Sequence, residues 1–144
     1  MIYTMGFTQK SAEEFFEKIK QHEIELLIDV RLNNKSQLAG FTKGQNLSYF
    51  LNVICNCQYV HELQFAPTKV ILDAYKKAKS DWAVYETSFN KLLLEREVEN
   101  CFEKKYMTFN KVLLLCSEPT PEHCHRRLLA EYLQRKLHVD VIHI

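Results

Sequence analysis

Only three glycines and three prolines are spread over 144 residues. That scarcity leaves no room for long flexible linkers, low-complexity tails or collagen-like repeats, and no internal repeat is visible. No apolar stretch reaches the ~20 residues that a membrane-spanning helix requires, and no secretory leader is expected ahead of the first strand. Charge is not in excess either: 19 Lys and Arg stand against 18 Asp and Glu, a net charge of +1. A chain so balanced has no global attraction to nucleic acid or to anionic membranes. The five cysteines are odd in number and none lies in a C-x2-C pair, so reduced thiols in a cytoplasmic protein are expected, without a disulfide framework or a zinc knuckle. Several catalytic templates are missing as well. There is no G-x-G-x-x-G, no glycine-rich phosphate loop, no G-x-S-x-G elbow and no H-E-x-x-H. The phosphatase pattern of Cys and Arg six positions apart fails too, because Glu122 lies six beyond Cys116 and Ala130 six beyond Cys124.

What is present is an ordinary globular composition, 47% hydrophobic and 26% charged, in a length that suits one domain over residues 1–144. "IYTMG" reads as a first strand ending at Gly6. Ser11 and Glu14 have capping-box spacing ahead of Phe15, Phe16 and Ile19 on one helical face. The run from Ile24 to Val30 is apolar nearly throughout, as in a strand covered on both faces. Leu47, Phe50, Leu51, Ile54 and Cys55 follow helical spacing, and Gln58 to Leu63 suggests another strand. Thr68 to Lys79 reads as a helix with Val70, Ile71, Ala74 and Ala78 inward. A second helix runs from about Trp82 toward Glu99, carrying Tyr85, Phe89, Leu92, Leu93 and Arg96. "KVLLLC" is a buried strand. Thr120 is then expected to cap a helix with Pro121 at its first position, with Leu128, Leu129, Tyr132 and Leu133 facing the core, and "VDVIHI" closes as a last strand. Alternating strands and helices define the α/β class: one domain, with a mainly parallel sheet of about five strands flanked by helices.

Ligands of open α/β sheets bind beyond the carboxyl ends of the strands. In this chain those ends carry Thr4 and Gly6, Asp29 and Arg31, His61 and Glu62, and Cys116, Ser117 and Glu118. The helix start after Thr120 would present free N–H groups to the same rim, and Arg31 and Arg126 would add donors suited to phosphate or carboxylate. Cys124 and His125 lie four residues before Leu128 and Leu129, so both project inward. That placement fits a packed corner, and it fits a thiol activated by an adjacent imidazole. No metal site and no cofactor is assigned: C-x7-C-H lacks a paired knuckle.

The pieces "IYTMG", "LLIDVR", "YVHEL" and "LLCSEPTPEHCHRRLLAEYL" with "VIHI" resemble a family catalogued as a domain of unknown function, number 488, over essentially the whole chain. The resemblance implies a small cytoplasmic α/β protein with no assigned reaction. It also implies a motif set of Thr4, Gly6, Asp29, Arg31, Ser36, Cys116, Glu118, Cys124, His125 and Arg126. Two departures stand out: Gly6-Phe7-Thr8 replaces Gly-His-Ser, and Asn34 and Gln37 flank Ser36 in place of Pro and Arg. The expectation is a pocket at the carboxyl end of the sheet for a small anionic ligand or nucleotide. Glu118, His125, Cys116 and Cys124 are its catalytic candidates, and Thr4, Gly6, Asp29, Arg31, Ser36 and Arg126 its ligand-binding candidates. The alternative is a non-enzymatic nucleic-acid- or protein-binding module, using Arg31, Lys35, Lys43 and Phe41, whose charged cluster is structural. No membrane association is expected, and sequence leaves the oligomeric state open.

Overall fold

The structure is a computed structural model and describes residues 1–35, 39–78 and 81–144. Five strands form one sheet: β1 (Ile2–Gly6), β2 (Leu26–Asp29), β3 (Gln58–His61), β4 (Val112–Cys116) and β5 (Val141–His143). Their order is β3-β2-β4-β1-β5, and every neighbouring pair is parallel. The three central strands are buried along their whole length, which explains why they are apolar but for Thr4 and Asp29: a strand covered on both faces has no solvent side for polar residues.

Two cores lie on the two faces. On one, Tyr3, Met5, Leu27, Leu113 and Leu115 pack against α1 (Ala12–Gln21) and α2 (Gly44–Cys55). On the other, Ile2, Ile28, Leu114 and Cys116 pack against α4 (Trp82–Arg96), α5 (Val98–Tyr106) and α6 (His125–Leu137). The short α3 (Lys69–Lys76) adds Ile71, Leu72 and Tyr75 to that second core. Connections running toward β3 place their helices on the first face, and those running toward β5 place theirs on the second, as right-handed crossovers require. The outgoing chains of the adjacent strands β2 and β4 therefore leave to opposite faces. That divergence opens a crevice at the carboxyl end of the sheet, where α/β proteins of this kind bind ligands.

Local chemistry accounts for the element ends. Ser11 caps α1 by accepting from the Glu14 N–H, and Asn56 closes α2 in the left-handed conformation, both common devices. Three helical expectations need correction. Thr68 does cap α3, but Val70, Ala74 and Ala78 are exposed, and the inward face is Ile71, Leu72 and Tyr75. The helix expected from Trp82 to Glu99 is two helices. Glu97 adopts φ 50°, ending α4, and the redirected chain buries Val98, Phe102 and Tyr106 as a separate α5. Finally, Thr120 caps nothing: α6 starts at His125 with Cys124 as its N-cap residue. A turn closed by the Cys124 N–H on the Pro121 carbonyl (3.3 Å) delivers an extended Cys124 into the core. The anion cradle expected at residues 121–124 is thus a turn and not a helix start.

Candidate functional site

The crevice between β2 and β4 holds a cavity of about 180 Å³, walled by Arg31, Leu32 and Asn33 on one side and Cys116, Ser117 and Glu118 on the other. Cys124 and His125 reach into it from the start of α6, and Tyr75, Trp82 and Tyr85 close it from α3 and α4. The α4 wall follows from sequence spacing, since Trp82, Tyr85 and Phe89 share one helical face. Trp82 and Tyr85 stack at 5.0 Å and 19°, and His123 lies over Trp82 at 5.0 Å. Lys76 and Glu118 form an ion pair of 3.5 Å on the cavity wall, with both side chains about half exposed.

Two thiols and an imidazole meet in the cavity. Cys116, Cys124 and His125 are all buried, and their ligand-type atoms lie within 4.8 Å of one another. The His125 Nε2–H donates to the Val30 carbonyl at 2.7 Å. Because that oxygen only accepts, Nε2 carries a proton and Nδ1 is left as an acceptor, with Cys116 Sγ beside the ring at 3.5 Å from Nδ1 and 3.7 Å from Nε2. A hydrogen bond from the Cys124 thiol holds the Cys116 thiol below its ordinary value against the opposing effect of full burial, with the Ser117 N–H and Arg126 helping. Cys124, as the donor in that bond and buried besides, is pushed well up. Of the two thiols, Cys116 ionises first.

On the opposite face of the sheet the Asp29–Arg31 pair is built as a closed unit. Arg31 Nε and Nη2 donate to the two Asp29 oxygens at 2.8 and 2.7 Å, Nη2 also reaches the Thr42 carbonyl at 2.6 Å, and the guanidinium lies 5.1 Å from the Phe7 ring centre. Tyr59 OH donates to Asp29 Oδ2 at 2.7 Å and accepts from Asn34 Nδ2 at 2.9 Å. Burial, and then the charge of Asp29, push the Tyr59 hydroxyl far up, keeping it a donor. His61 is spent on the same segment, its Nε2–H donating to the Arg31 carbonyl at 2.6 Å.

The remaining candidates lie elsewhere. Thr4 is buried in β1 and hydrogen-bonds His143 Nδ1 at 2.6 Å. Gly6 is a packing requirement: a Cβ there would sit 1.6 Å from the Glu118 carbonyl oxygen. Arg126 is 1% exposed and donates from Nη1 to that same carbonyl at 2.6 Å, while its Nε has no partner. It stands beside Gly6 and does not line the cavity. Glu62 turns away to accept from Tyr106 OH (2.6 Å) and Lys105 (3.3 Å). Ser36 lies outside the described residues. Sequence reasoning missed the aromatic wall: it gives Tyr75 no role, reads Trp82 only as a helix start, and counts Tyr85 among the residues carried on that helix.

The fold is a three-layer α/β domain with a cavity at its β2–β4 divergence. The chain matches the family described as Domain of unknown function DUF488 over residues 11–133 and belongs to it. No curated protein and no solved structure matches the chain. No helix among the described residues is long and apolar enough to cross a membrane.

Proposed function

We propose that the cavity between β2 and β4 binds a small phosphate- or carboxylate-bearing molecule that also carries a planar ring. One observation carries the reading: a stacked aromatic pair, Trp82 and Tyr85, lines the same cavity as the half-exposed cation Lys76. A ring laid on the aromatic wall and an anion at the Lys76 ammonium use both features at once. The volume of about 180 Å³ is below the ~300–1,000 Å³ of sites that enclose drug-sized ligands. The occupant is therefore a ring with a short anionic arm, or the end of a nucleotide whose remainder stays in solvent. Glu118, half exposed at this cavity, is the group placed to exchange a proton with such a ligand, and the Cys116–Cys124–His125 cluster supplies the reactive atoms.

Phe41 does not favour a nucleic-acid platform, because its ring packs on Phe15 (5.4 Å) and Phe16 (5.9 Å) and anchors its loop. Trp82 is the only tryptophan in the chain, so intrinsic fluorescence reports directly on the proposed wall. Titration at constant salt with nucleoside monophosphates, sugar phosphates and aryl carboxylates is expected to give a saturable fluorescence change with at least one class, matched by a rise in Tm. Trp82→Leu should remove the thermal response while the protein stays folded. Flat fluorescence and unchanged Tm across all three classes would sink the proposal.

A further inference from the structure

We propose that Cys116, Cys124 and His125 form a zinc site with three protein ligands and a fourth position open to the cavity. The inference deepens the proposed function by naming the chemistry in that cavity, yet its geometric basis is independent of any ligand.

Distances come first. Zinc binds thiolate at ~2.3 Å and imidazole nitrogen at ~2.0–2.1 Å in tetrahedral sites, which sets the S···N edge of such a site at about 3.6 Å. Cys116 Sγ and His125 Nδ1 are 3.5 Å apart, and all three ligand atoms fall within 4.8 Å of one another. A ligating histidine almost always gives its other N–H to a carbonyl or carboxylate, which fixes the tautomer and aims the ring. His125 does this through the 2.7 Å bond from Nε2 to Val30 O. Phe89 holds the other side of the ring edge-on, at 5.4 Å. Cys116 Sγ also lies 3.7 Å from Nε2, beside the ring, so zinc binding would turn the imidazole to aim Nδ1 at the metal.

Charge and support agree. Binding exchanges the two thiol protons for one Zn²⁺, with both protons leaving to solvent, so the buried centre gains no net charge. That neutrality matters because all three residues are buried, and an uncompensated ion there would be costly. Cys116 ends a fully buried strand and Cys124 opens a helix, so rigid elements hold the ligands. The C-x7-C-H spacing looks unpromising only because the strand-to-helix turn, and not a local knuckle, brings the two cysteines together. A three-ligand site with an open position is the catalytic form of zinc site, where the fourth ligand is water or substrate. The 180 Å³ cavity adjoins that position.

The test needs no substrate. Protein stripped with chelator under anaerobic, reducing conditions is titrated with Co²⁺ and then with Zn²⁺. The expected result is one Co²⁺ per chain, with thiolate-to-cobalt charge-transfer absorption and tetrahedral ligand-field bands that Zn²⁺ displaces. Cys116→Ser, Cys124→Ser and His125→Asn should each lower the affinity at least tenfold, whereas Cys55→Ser and Cys101→Ser should leave it unchanged. On the wild-type protein, Zn²⁺ should shield Cys116 and Cys124 from alkylation, mapped by mass spectrometry, so the answer does not depend on whether a variant folds. The proposal is overturned by absent thiolate–cobalt absorption, by uptake that survives the three variants, or by unchanged alkylation of Cys116 and Cys124. The Trp82 titrations above are read on metal-free protein as well, so failure of the metal site and failure of the ligand reading can be told apart.

Discussion

The carboxyl edge of the sheet has two faces, and they are built in opposite ways. Toward α1 and α2, Asp29, Arg31, Tyr59, Asn34 and the Thr42 carbonyl close on one another through short hydrogen bonds. Toward α4 and α6, Cys116, Cys124 and His125 meet beside a cavity, and among the described residues the Cys116 thiol is the one group within bonding range of His125 Nδ1. Both faces collect polar groups that the sequence places at strand ends, yet only on the second do they stand beside a cavity. A satisfied buried network holds a fold together, and a partly unspent one is where chemistry can happen. The Asp29–Arg31 motif therefore reads as the brace of the β2 end, and the residues after β4 as the working part.

The sharpest way to break this comparison is to remove the brace. Arg31→Ala leaves the Asp29 carboxylate, 0% exposed, without its cation. Truncating one partner of a buried pair costs ~3–5 kcal/mol, and a loss of that size is expected in the denaturant midpoint. Arg31→Lys should recover only part of it, because an ammonium cannot reproduce the two-pronged contact. A loss under ~1 kcal/mol, the range of exposed ion pairs, would mean the network is not a brace.

A second closed network, at Glu62, gives a smaller and pH-dependent effect. Burial alone would raise this carboxyl, but hydrogen bonds from Tyr106, the Gln64 N–H and Lys105 outweigh it and hold Glu62 below the ordinary carboxylate range. A group depressed in the folded state contributes stability above its unfolded value and loses it as pH falls through the folded one. Glu62→Gln should thus cost ~1–3 kcal/mol at neutral pH, and the gap to wild type should close below about pH 4. Unfolding curves at pH 7 and pH 3.5 check both points, and a gap that widens in acid would contradict the assignment.

How much of this was legible beforehand depended on the kind of signal. The three central strands were readable because burial on both faces leaves β1, β2 and β4 apolar apart from Thr4 and Asp29. The break at Glu97 was not, because a left-handed residue that is neither Gly nor Asn carries no stop signal. Even so, Val98, Phe102 and Tyr106 do recur every four residues. The inward turn of Cys124 and His125 could be read from their spacing to Leu128 and Leu129. The start of α6 was misplaced because Thr120-Pro121 is a good local helix start. Burying Cys124 against Cys116 overrides that local preference. The cavity wall stayed hidden for a simpler reason: Trp82 and Tyr85 have the same spacing whether they pack in a core or line a pocket, and only the position of α3 decides.

The smallest expected effects lie at Lys76 and Glu118, and they test the open face by sign and not by size. Both side chains are about half exposed and 3.5 Å apart, so Lys76→Ala and Glu118→Gln should each change stability by less than ~0.5 kcal/mol. Their effects on an anionic ligand in the cavity should be opposite. Removing the cation at Lys76 should weaken binding about two- to fivefold, since ~1 kcal/mol corresponds to roughly fivefold in Kd. Removing the carboxylate at Glu118 should tighten it by a similar factor. Raising the salt should shrink both shifts, because charges this exposed are screened over ~10 Å at 0.1 M ionic strength. Fluorescence titrations of Trp82 at two salt concentrations measure all four quantities. Shifts of the same sign, or shifts indifferent to salt, would show that the cavity does not select its ligand by charge. The aromatic wall alone would then have to account for binding.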